Sequence, residues 1–170
     1  MKTKRLTIIT MLTALYVVLA YLTPIKVLHF KFTFEALPIL VGGFLYGSKC
    51  GFIVATLGCF IYQIFFSGYG LTATTILWIL PHSLSGLLVG YLSERKQFNL
   101  SKKDIILISI ISSLTVTALN TFALFIDSKI YGYYSIALLF STLPLKILAG
   151  IILSLIYSMI IVPLLSNLSK

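Results

Sequence analysis

Residues 136–165 read IALLFSTLPLKILAGIILSLIYSMIIVPLL, a run in which Lys146 is the one charge among apolar, small and hydroxyl-bearing side chains. As a single helix, thirty residues extend roughly 45 Å, too far for one crossing of a hydrocarbon core about 30 Å thick. Proline is tolerated in the first turn of a helix, so Pro144 is the natural start of the membrane segment. That puts Lys146 in its first turn and leaves 131–143 as a capping loop or a short surface helix. An ammonium at membrane depth costs roughly 2.5–3.5 kcal/mol on insertion scales, and such a residue faces a cavity or a bundle interior unless it lies close enough to a helix end to reach the headgroups. Both readings are open for Lys146, which is therefore the first functional suspect.

Upstream, the same reading finds apolar runs at 6–22, 34–46, 50–66 and 72–92, then 105–126, before the last crossing at 144–165. The second is short and contains Pro38; it either extends toward Phe30 or leans on its neighbours for backbone satisfaction. With 59% hydrophobic and 10% charged residues among 170, the chain lacks the polar surface of a soluble domain. The expectation is one all-α integral membrane domain over residues 1–170, with six transmembrane helices. The first run, with Val18-Leu19-Ala20 as a poor cleavage site, reads as a retained span rather than a signal peptide.

An even number of spans places both termini on one side. Lys2, Lys4, Arg5, Lys49, Arg95, Lys96, Lys102, Lys103 and Lys170 fall on the terminal side, against Lys26, Lys31 and Lys129 on the other. The bias puts the termini in the cytoplasm of a multi-pass protein of the bacterial plasma membrane. The net charge of +9 is accordingly topology and attraction to anionic lipid, and no nucleic-acid partner is implied. Cys50 and Cys59 show no metal-ligand spacing and read as packing residues.

Signs of enzymatic chemistry are sparse. Of four acids, Glu94 and Asp104 flank a basic cytoplasmic loop where solvent would hold them, leaving Glu35 and Asp127. His29 and His82 lack the HExxH spacing of a zinc protease, and there is no GxSxG elbow. The run Gly42-Gly43-Phe44-Leu45-Tyr46-Gly47-Ser48-Lys49 has Gly-Ser-Lys where a phosphate loop has Gly-Lys-Ser or Gly-Lys-Thr, and no strand precedes it. Gly43, Gly47 and Gly51 instead suit a tight turn and close packing between the second and third spans. An intramembrane enzyme would have to pair Glu35 with His29 or His82.

Polar and aromatic groups gather toward the outer side: Lys26, His29, Lys31, Glu35, Gln63, Tyr69, Trp78, His82, Asn120, Asp127, Tyr131, Tyr133, Tyr134 and Lys146. Trp78 and His82 are four apart and share a helix face; Asn120 and Asp127 are two turns apart. Each has a plainer alternative: an interfacial anchor for Trp78, a helix-bridging amide for Asn120, a solvated loop charge beside Lys129 for Asp127, an aromatic belt for the tyrosines. Together they suit a planar, hydrogen-bonding, anionic ligand, with Trp78 for stacking, Asn120 and Asp127 for a heterocycle edge, and lysines for carboxylates. With no phosphate loop, such a protein needs partner subunits as its engine.

The run Phe32-Thr33-Phe34-Glu35-Ala36-Leu37-Pro38-Ile39, with Gly42-Gly43 and Tyr46-Gly47, resembles the second-span signature of the substrate-binding subunits (S components) of energy-coupling factor (ECF) vitamin transporters. Residues 68–81, GYGLTATTILWILP, are similar to the folate-specific branch, as are Leu119-Asn120-Thr121 and Tyr131-Gly132-Tyr133. The resemblance implies an S-component bundle that captures folate or a reduced folate from outside, without a cofactor or metal. It also implies docking onto a transmembrane coupling protein driven by two cytoplasmic ATPase subunits. The matching motifs bring Trp78, Asn120 and Tyr131 near the ligand; Lys146, Lys26, His82, Gln63 and Asp127 follow from position and chemistry. Family members dock through small residues at i, i+4 on the first span; the counterparts here are Thr10 and Ala14, with Val18 in the place of a further small residue. The alternatives are a six-span scaffold without transport and an S component for a different vitamin.

Overall fold

The computed structural model describes residues 3–27, 30–68 and 70–168, with the backbone alone at 25–27, 30–32, 138 and 168. Lys2, His29, Tyr69 and Lys170 lie outside the described residues, as do the side chains of Lys26 and Lys31. In chain order the elements are α1 (Thr3–Leu22), β1 (Ile25–Val27), β2 (Phe30–Phe32), α2 (Ala36–Tyr46), α3 (Ser48–Phe65), α4 (Thr75–Arg95), α5 (Lys102–Ile130), α6 (Ile136–Phe140) and α7 (Leu143–Leu168). Helices α1, α3, α4, α5 and α7 are long and apolar enough to cross a membrane. The last starts with Pro144 in its first turn, where its missing N–H needs no partner, and the Lys146 backbone N–H donates to the Thr142 carbonyl at 3.0 Å. Short α6 fills the segment before it.

Of the two alternatives for the second span, extension toward Phe30 does not occur. Helix α2 has 11 residues, about 16 Å, and does not reach back to Phe30. Its upstream residues form β2, paired antiparallel with β1 in the register Ile25↔Phe32, Lys26↔Lys31, Val27↔Phe30. The alternation Ile-Lys-Val and Phe-Lys-Phe is a period-two pattern, and pairing satisfies backbone groups that a broken helix would leave open.

Glycines set how closely α2 and α3 approach α4. A Cβ on Gly43 would meet Val89 Cγ1 at 2.8 Å and the Gly90 nitrogen at 3.0 Å; a Cβ on Gly51 would fall on the Gly86 carbonyl oxygen, and the converse holds for Gly86. Lipid tails are as apolar as leucine, so backbone contact of this kind, rather than water exclusion, holds membrane helices together. Gly47, at φ +86°, makes the turn from α2 to α3, a conformation that disfavours any side chain.

Leu40, Phe44, Val89, Ile105, Ile108, Tyr157 and Ile161 form the core between α2, α4, α5 and α7. A second cluster, Tyr16, Ala20, Ile39, Ala55, Cys59 and Ile79, joins α1, α2, α3 and α4, and both cysteines are buried thiols outside any disulfide. Glu94 is not merely a solvated loop acid: it accepts from the Ser48 backbone N–H at 2.8 Å and the Ser48 hydroxyl at 2.9 Å, capping α3 from the end of α4. The carboxylate complements the positive end of the α3 dipole. Asp104 closes a capping box with Ser101 and pairs with Lys96 at 2.5 Å, fixing the turn between α4 and α5.

Candidate functional site

A cavity of about 420 Å³ lies between α2, α4, α5 and α7. The pairing of α5 with α7 makes its outer wall. Gly150 lets the two helices close, since a Cβ there would strike the Ser113 hydroxyl, and this brings Lys146, one turn earlier on α7, to the Asn120 end of α5. Lys146 is half-buried and faces the cavity, the first of the two sequence readings. The opposite wall carries Trp78 and His82 from one face of α4. Four of the eight residues named from the sequence as ligand-binding, Trp78, His82, Asn120 and Lys146, therefore line one space.

Of the other four, Asp127, Tyr131 and Gln63 lie outside this lining, and the side chain of Lys26 lies outside the described residues. Asp127 is 8% exposed and stands behind the cavity, because α5 continues to Ile130 and keeps residue 127 on the helix, turned toward α4. There it accepts hydrogen bonds from the Thr74 hydroxyl, the Tyr133 hydroxyl and, at 3.4 Å, the Trp78 indole N–H. It is neither a solvated loop charge nor a partner of Lys129, whose ammonium lies over the rings of Phe125 at 5.3 Å and Tyr134 at 4.9 Å. Tyr131 is the C-cap residue of α5 at 51% exposure, outside the lining, its backbone N–H donating to the Asp127 carbonyl. Gln63 is also outside the lining, near the end of α3, where its carbonyl accepts from the Ser67 hydroxyl at 2.5 Å. Lys26 belongs to β1, opposite Lys31.

Glu35, named from the sequence among the outer-side polar groups, lines the cavity too, and several other lining residues were not singled out. Glu35, the N-cap residue of α2, reaches within 3.9 Å of His82 Nε2. Ser109, Ser112, Ser113 and Thr117 lie below Asn120 on α5, and Ser85 on α4 joins Ser112 at 2.6 Å. Their signal was in the sequence: positions 109, 112, 113, 117 and 120 form a polar stripe at helical spacing in an otherwise apolar run. Tyr157 closes the inner end, its hydroxyl donating to the Thr33 carbonyl at 2.6 Å and tying α7 to the segment after β2.

Chemically, the cavity offers an aromatic face, an amide, a cation, an acid–imidazole pair and a hydroxyl floor, but no group of three metal-ligating side chains among the described residues. Its volume lies within the roughly 300–1,000 Å³ of small-molecule sites.

A cavity with a few convergent polar side chains inside a bundle built for lipid defines an integral membrane protein that holds a small solute. The chain matches the family described as ECF transporter, substrate-specific component, over residues 4–161. It belongs to that family. Its fold is shared with the S component of a bacterial ECF transporter, 23% identical over 100% of both chains, with a TM-score of 0.72. It is similar also to FolT bound with folic acid, 17% identical over 92% of this chain and 89% of that one, TM-score 0.71. The S component for biotin from an ECF-type ABC transporter is 18% identical over 94% and 91%, TM-score 0.65. At these identities the likeness is one of fold. No curated protein matches the chain.

Proposed function

We propose that this ECF substrate-specific component binds folate or a reduced folate at high affinity, capturing it outside the cell for import. The observation that carries the reading is the arrangement of Trp78 and His82 on one wall of the cavity with Asn120 and Lys146 on the other. A pterin is flat, with a hydrogen-bonding rim, and the attached glutamate is anionic. Trp78 supplies a stacking surface, Asn120 reads polar edges and Lys146 neutralises a carboxylate. The resemblance of residues 68–81, 119–121 and 131–133 to the folate-specific branch supports the same choice, and no step of covalent chemistry is asked of the site.

Transport then requires partners: a transmembrane coupling protein and two cytoplasmic ATPases. Thr10 and Ala14 are both exposed on one face of α1, which suits them as the docking face. Trp78 is the only tryptophan, so folic acid titrated into the purified protein should quench its fluorescence saturably. A nanomolar dissociation constant corresponds to about −12 kcal/mol. A flat signal, together with no calorimetric heat, removes the folate assignment.

A further inference from the structure

We propose that Glu35 and His82 form a second recognition element of the cavity, in which the Glu35 carboxylate accepts paired N–H groups from the edge of a heterocyclic ligand and His82 stands beside it. The ligand class this defines is amphoteric: a donor-rich heterocycle at the α2–α4 wall and a carboxylate at Lys146 on α7. This inference rests on the folate reading, because the 2-amino-4-oxo edge of a pterin presents such a donor pair.

Three observations carry it. Glu35 occupies the N-cap of α2, where an acid ordinarily accepts from the first-turn N–H groups, yet its side chain makes no capping bond. It turns instead toward His82, with Oε1 3.9 Å from Nε2, and both side chains line the cavity at 17% and 14% exposure. The His82 ring is itself oriented, standing edge-on to Tyr16 at 6.1 Å between centroids and 83° between planes. A mostly shielded acid that faces a cavity beside an imidazole, rather than its own helix end, is one of the few convergent polar groups that orient a ligand in such a site. A carboxylate can accept two parallel N–H bonds, and a site built for such bonds rejects analogues that cannot supply them.

The test compares folic acid with its 2-deamino-2-methyl analogue on the wild-type protein and on Glu35→Gln, by calorimetry in detergent. Wild type should prefer folic acid by about 10- to 100-fold, the range for a lost hydrogen bond to a charged group. Glu35→Gln should weaken folic acid and bring the two ligands to within about threefold of each other, because the amide no longer accepts with both atoms. Equal affinity of wild type for the two ligands overturns the proposal without any variant, and equal weakening of both by Glu35→Gln overturns it by making Glu35 a structural residue. Both of those outcomes leave folate binding intact. Binding of neither ligand by wild type removes the folate reading, and this inference with it.

Discussion

The indole N–H of Trp78 on α4 is directed at the carboxylate of Asp127 on α5, 3.4 Å away, and the same carboxylate takes the hydroxyls of Thr74 and Tyr133. One buried acid thus ties Trp78, the start of α4 and the segment after α5 into a unit. Asp127→Ala should leave three donors without their acceptor and free the Trp78 ring. Hydrogen bonds to a charged group are worth about 1.5–3 kcal/mol, so a loss of about tenfold or more in folate affinity is expected, with a rise in Trp78 mobility by fluorescence anisotropy. Unchanged affinity and anisotropy would show that Trp78 is held by packing alone.

Lys146→Ala should weaken folate far more than it weakens the fold. Loss of a charge-assisted pair predicts a drop of about 10- to 100-fold in affinity, while the thermal midpoint in detergent without ligand changes little. Equal folate affinity in variant and wild type would return Lys146 to a role at the headgroups.

At the contact of α3 with α4, Gly51→Ala places a methyl on the Gly86 carbonyl oxygen, where only backbone can give way. Overpacking of this kind costs about 1–3 kcal/mol. The variant should show a lower midpoint in thermal unfolding, and an unchanged midpoint would mean that the two helices slide apart freely.

Ala14→Leu changes an exposed position on α1 and should leave folate binding as it is. Reconstituted with the coupling protein and ATPases, the variant should fail to drive folate into vesicles. Normal transport would move the docking face away from Thr10 and Ala14.

Much of the fold was legible because lipid imposes simple rules. Length and polarity located the long helices, proline chemistry located the start of α7, and helical spacing put Trp78 and His82 on one face. The hairpin was missed because two three-residue strands give almost no periodic signal between apolar helices. The bonds of Glu94 to Ser48 and of Asp127 to Thr74 were not foreseen for a common reason: these partners are 46 and 53 positions away in sequence, so spacing cannot announce them. Glu35 was visible as a rare acid, but only the packing of α2 on α4 shows it beside His82. The serine stripe on α5 could have been read and was obscured by the apolar residues between its members.

The most direct test of the central claim is a calorimetric titration of the purified protein, in parallel, with folic acid, biotin and riboflavin. Saturable binding of folic acid at nanomolar concentration, with no heat from the other two, is the predicted result. Binding of biotin or riboflavin in place of folic acid, or of none of the three, would contradict it.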